Sequence, residues 1–225
     1  MNSYLLPILA VILGSALAFF GKNKPGFNIK LLLSFSGAFL LALTLFELLP
    51  EVYDHLKNPE LTGLFIMSGI LIQIILEFLS KGAEHGHIHI HTQQNQFPWL
   101  LFISLCIHSF LEGFPIHHHN DMVYGVLIHK IPIATLITSF LIQSHYNTSQ
   151  IASFLLVFTI MTPLGTYISN HVHLVEDYIY FINAIVIGIF FHISTTILFE
   201  SSEGHKFNLT KLIAIFAGVA IAYAI

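Results

Sequence analysis

The sequence predicts an all-α integral membrane protein of eight transmembrane helices, with a metal site between the fourth and fifth. Three observations lead there. Only 9% of the 225 residues are charged and 55% are hydrophobic, whereas soluble domains carry about 25% charged residues. The apolar residues fall into runs of about 20, the length that crosses about 30 Å of hydrocarbon. Histidine, with 15 copies, outnumbers lysine and arginine together at 8, and imidazole is the commonest side-chain metal ligand.

The elements follow in chain order. The first run, about 3–20, lacks a basic n-region and a small-residue cleavage site, so it reads as a span and not as a signal peptide. "GKNKPGFNIK" supplies Pro and Gly turn signals before a second span at about 31–52. "DHLKNPE", with its Asn-Pro, precedes a third at about 61–80. The longest polar stretch, "KGAEHGHIHIHTQQNQ" at about 81–96, is a low-complexity loop. Spans at about 97–116 and 122–144 flank the short turn "HHHND". "SHYNTSQ", "SNHVHLVED" and "ESSEGHKFN" then separate spans at about 150–169, 178–199 and 208–224. The whole chain, 1–225, reads as one transmembrane domain.

The lysines orient it. Lys22, Lys24, Lys30, Lys81, Lys206 and Lys211 lie in or beside connectors one, three and seven, and only Lys57 lies in an even-numbered one. By the positive-inside rule the odd connectors are cytoplasmic. Both termini are then extracytoplasmic, the 81–96 loop is cytoplasmic, and the plasma (inner) membrane is the expected location. A net charge of −4 with no arginine argues against nucleic acid as a partner. The single cysteine, Cys106, can form neither an internal disulfide nor a cysteine-type zinc cluster.

Ionisable groups inside spans are costly and mark pathways or pairs. At 1.5 Å per residue, His108 lies about 16 Å and Glu112 about 22 Å above the inner end of span four. His129, descending span five from Asp121, lies about 18 Å above the same face. Glu112 is one turn from His108 on one helical face. Two imidazoles and a carboxylate in one layer of adjacent helices suit zinc and other borderline divalent ions. Gly113, Pro115 and Pro132 interrupt these spans, and broken helices at mid-membrane accompany transporter binding sites. Lys130, next to His129, points about 100° around the helix. There it can pair with Glu112 as a tethered cation.

These residues resemble the ZIP (Zrt/Irt-like) family of metal transporters. "HSFLEG" at 108–113 is similar to the fourth-span signature and "HKIPIA" at 129–134 to the fifth; "MTPLG" at 161–165 and "FELLPE" at 46–51 resemble the sixth and second. The resemblance implies eight spans with extracellular termini, a possible homodimer, and uptake of a divalent metal without ATP. It implies His108, Glu112 and His129 as metal ligands. Members with two metal sites differ at Ser109, Lys130, Ile133 and Thr162, and Phe39 stands where some have a Met ligand. One metal is therefore expected, with the Lys130 ammonium in the second position.

On the outer side Glu47 and Glu51, with Asp54 and His55 beyond them, form an acidic ladder at the entrance. On the inner side His192, Glu77 and Glu200 are read as an exit path. His85, His87, His89 and His91 alternate along the cytoplasmic loop and receive or sense metal there. No resident cofactor is expected. The transported ion is Zn²⁺, with Fe²⁺, Mn²⁺, Co²⁺ and Cd²⁺ chemically close, and the other partner is the lipid bilayer. Ligands must shed protons to bind, so low pH should weaken uptake. Two other classes remain. A membrane metallohydrolase would use bound zinc to activate water, but the sequence has no His-Glu-x-x-His. A non-transporting sensor would depend on the 84–91 tract.

Overall fold

A computed structural model of the chain describes residues 2–21, 28–80, 97–116, 121–200 and 209–225, and within them all regular structure is helical. The long helices are α1 (Asn2–Gly21), α2 (Ile29–Leu43), α4 (Pro59–Ser80), α5 (Trp99–Leu111), α6 (Met122–Gln143), α7 (Thr148–His171), α9 (Ile179–Glu200) and α10 (Leu209–Ala224). Two short ones, α3 (Leu49–Leu56) and α8 (His173–Glu176), lie beside them. Seven helical stretches among the described residues are long and apolar enough to cross a membrane. Where an eighth span is expected, α10 is an apolar helix of 16 residues, shorter than those seven. We call the end bearing Asp121 and Ile179 upper and the end bearing Ser80 and Trp99 lower.

Local chemistry sets the helix ends. Asn28 caps α2 by accepting from the Lys30 amide at 3.1 Å. Asn147 and Gln150 form a reciprocal capping box at the start of α7, at 2.8 and 3.1 Å. The second span runs past its apolar segment to Leu56, because α3 continues α2 through a π-helical turn at Thr44–Leu48. There the Leu49 amide donates to the Thr44 carbonyl, five residues back. Pro50 follows directly; having no N–H and crowding the carbonyl four residues before it, it favours a widened turn at this place.

The helices pack as two groups. In one, α1 lies along α6 and α7, and α5 lies against α7. In the other, α4 lies along α9, and α10 along α2, with α2 against α9. Backbones approach closely inside each group. A Cβ on Gly165 would collide with the Phe110 carbonyl, and one on Gly69 with the Ile185 carbonyl. The groups meet where α2 crosses α6 and α4 crosses α5. There a Cβ on Gly125 would meet only the ends of the Leu43 and Leu40 side chains, at 3.1 and 3.3 Å.

Two apolar clusters fill the interior. The upper one includes Phe39, Leu43, Val126, Ile187 and Phe190. The lower one includes Leu33, Leu105, Ile133, Ile137 and Ile193. On α6, residues Val126 and Ile133 belong to different clusters, and His129 lies between them.

Candidate metal centre

The centre is built from α5, α6 and α7. Helix α5 stops at Leu111, with Glu112 as its C-cap and Gly113 in a turn before a 3₁₀ segment at Phe114–Ile116. Proline at 115 cannot continue the helical ladder. The carbonyls that this break frees are taken up by hydroxyls of α7. Thr166 donates to the Gly113 carbonyl at 2.8 Å and Ser169 to the Phe114 carbonyl at 3.1 Å. Only a glycine at 113 fits so close to α7, since a Cβ would collide with the Thr162 carbonyl. The break thus occurs in a protein-lined place, where irregular backbone is tolerated at membrane depth.

The structure brings His108, Glu112 and His129 together. One ligating atom from each lies within 4.8 Å of the others, and the three residues are 2%, 1% and 1% exposed. His108 Nε2 is 3.5 Å from Glu112 Oε2. The two imidazole rings stand edge to face, 6.2 Å between centroids. The C-terminal end of α5 adds a partial negative charge that favours a cation here.

Lys130 is 1% exposed and is bonded on every described side. Its ammonium donates to Glu112 Oε1, to Ser109 Oγ at 2.8 Å and to Thr162 Oγ1 at 2.7 Å. It also lies 4.6 Å from the centroid of the Phe158 ring, within cation–π range. Thr162 contacts Glu112 Oε1 as well, at 2.7 Å. The two oxygens of Glu112 therefore have different surroundings. Oε1 is held by Lys130 and Thr162, and Oε2 faces His108.

Glu47 sits in the π-helical turn, partly buried and within electrostatic reach of Asp121. Glu51, one turn above it in α3, is also partly buried. Glu77 of α4 and His192 of α9 pair with each other at 2.5 Å, but the structure does not bring them to the His/Glu trio. His192 faces a cavity of about 390 Å³ whose other walls include Leu41, Leu45, Ile70 and Thr195. Glu200 ends α9, and its side chain lies outside the described residues. So do His85, His87, His89 and His91, and the three histidines at 117–119.

Sequence reasoning noted Ser109 and Thr162 as departures from a binuclear pattern but missed that both bond Lys130. The available signal was a pair of hydroxyl residues in apolar runs, at the depth of a lysine inside a span. It also missed Asn183 on α9, an amide that is 0% exposed.

Apolar membrane-length helices around a buried His/Glu/His set define a membrane protein with a candidate metal-binding cluster. Comparison with known proteins names the family. The sequence profile of the ZIP zinc transporters matches residues 79–225, from the lower end of α4 through α10. The chain belongs to the ZIP zinc transporter family and is an integral membrane protein. Over 93 residues, 39% of this chain, it is 29% identical to the zinc transporter ZIP1 of Danio rerio. That match spans 31% of the relative's length.

Proposed function

We propose that this protein carries Zn²⁺, or a closely related divalent cation, across the membrane into the cytoplasm, with His108, Glu112 and His129 as the ligands of the ion in transit. The observation that carries this reading is the meeting of three borderline-metal ligands, each at most 2% exposed, in a chain of the ZIP family. Neutral imidazoles and a carboxylate suit zinc. The trio lies between two apolar clusters, so an ion there is sealed from both faces and moves on only when one side opens.

All three ligands belong to the group of α1, α5, α6 and α7, and the other group contributes none of them. Movement of one group against the other exposes the site to each face in turn. Eight spans with the lysine-poor upper end outside make Glu47 and Glu51 the acidic entrance. Lys130 holds the place of a second cation, so one ion binds at a time.

The test is zinc flux into proteoliposomes. His108→Ala should abolish saturable uptake with parental recovery of folded protein, and Glu112→Ala should abolish it per mole of folded protein recovered. Uptake at the parental rate in both variants would refute the site assignment. Hydrolysis of a substrate by the unaltered protein, without flux, would refute transport itself.

A further inference from the structure

Helix α9 contributes no ligand to the trio, yet it carries two buried polar side chains with no hydrogen-bond partner among the described residues: both amide atoms of Asn183, and the Ser194 hydroxyl. Both residues are 0% exposed. A buried polar group left unbonded forfeits its hydration with nothing in return, so each such group asks for a reason. The two are eleven residues apart, which is three turns and leaves them within about 20° of one face. Atoms of Ser194 and Ile197 on that face lie against Gly37 of α2. Asn183 therefore looks toward the continuous rod of α2 and α3, which bears Glu47 and Glu51.

The level of Asn183 on that rod can be read from one contact. The rings of His55 on α3 and Tyr180 on α9 stack at 3.8 Å, with 12° between their planes. The two helices run in opposite directions. Descending from the stack, α3 reaches Glu51 after four residues and α9 reaches Asn183 after three, or about 6 and 4.5 Å. Val52 and Ala184, their chain neighbours, lie in the same apolar cluster. The Glu51 carboxylate is within electrostatic reach of Tyr180 on α9.

We propose that Asn183 and Glu51 form a staging site for a divalent cation, one layer above the His/Glu trio. This rests on the transport reading and adds a residue and a ligand class to it. Both ligands are oxygens, one a carboxylate and one an amide carbonyl. Such a pair binds hard and borderline ions alike, with much of their water retained. The imidazoles below it then select. Staging is permissive, and choice is made only at His108 and His129.

The test uses the full-length protein in two arms. In the first, a His108→Ala/His129→Ala background is titrated with Mn²⁺ and free Mn²⁺ is followed by electron paramagnetic resonance. Asn183→Leu and Glu51→Gln should each remove one weak Mn²⁺ site from that background, and Asn183→Asp should retain it. An unchanged titration for Asn183→Leu overturns the proposal. In the second arm the trio is intact and zinc uptake is measured. Asn183→Leu should raise KM roughly ten-fold, the worth of one ligand contact, with kcat little changed. Asn183→Asp should keep a low KM and make uptake more sensitive to competing Mg²⁺. Parental KM and parental Mg²⁺ sensitivity in both variants overturn the proposal. Because Asn183→Leu removes an unbonded polar group, its thermal midpoint in detergent should hold or rise; a steep fall would mean the amide is bonded within the fold, which also overturns it. If the unaltered protein carries no ion, the transport reading fails, and the Mn²⁺ arm still decides the staging site.

Discussion

Lys130 is the residue that most constrains the chemistry of the centre. An ammonium and a carboxylate taken out of water each lose several kcal/mol of solvation, and their attraction repays this only when further hydrogen bonds complete the geometry. Ser109, Thr162 and the Phe158 ring provide that completion. Removing one partner strands the other. Glu112→Gln should therefore destabilise the protein by about 3–5 kcal/mol, and adding Lys130→Met to it should recover most of that loss, as read by thermal melts in detergent. Lys130→Met alone should bind zinc more tightly in equilibrium dialysis and turn over more slowly, since a fixed positive charge no longer pushes on the ion. His108, Glu112 and Lys130 were legible in the sequence because helical rise converts residue number into depth. The bonds from Ser109 and Thr162 were not, because they depend on which face of α7 meets α5.

At the scale of elements, the break after Glu112 and the close contact of α5 with α7 are one feature. The helix stops where its freed carbonyls find Thr166 and Ser169, and Gly113 and Gly165 let the backbones approach near enough for those bonds. Gly165→Ala would push a methyl into the Phe110 carbonyl. Overpacking of this kind should cost about 1–3 kcal/mol and lower zinc uptake by displacing Thr162. A thermal melt together with a flux assay checks both effects. Gly63→Ala is the control: nothing lies within 4 Å of the added Cβ, so the exchange should be neutral or stabilising by up to about 1 kcal/mol. Pro115 and Gly113 announced the break in sequence. The π-helical turn at Thr44–Leu48 was not foreseen, and the second helix overruns the expected 52 to reach Leu56. Hydropathy ends where side chains turn polar, but the backbone ladder continues while its own hydrogen bonds can be made.

For the whole molecule, the transport reading proposed above makes the division into two groups the means by which the site would open. Within the groups backbones meet at Gly69 and Gly165, whereas at the crossing of α2 and α6 Gly125 faces the ends of the Leu40 and Leu43 side chains. In a Cys106→Ala background, cysteines at Gly125 and Leu43 should form a disulfide that stops zinc uptake, with reduction restoring it. Cysteines at Ser15 and Thr138, whose hydroxyls lie 3.1 Å apart within one group, should cross-link and leave uptake intact. Equal loss of flux in both pairs would refute relative movement of the groups. By itself the sequence determined that the chain is helical and embedded in a membrane, and which ionisable residues its apolar runs carry and which of those suit a metal. It could do so because hydrophobic length, helical rise and ligand chemistry are local quantities. Only the tertiary structure decided that α7 completes the cradle of Lys130, that the trio belongs to one group of helices, that His192 pairs with Glu77 away from it, and that His55 of α3 stacks on Tyr180 of α9. Those are contacts between distant residues, set by the rotation and pairing of packed helices, and no local pattern in the chain encodes them.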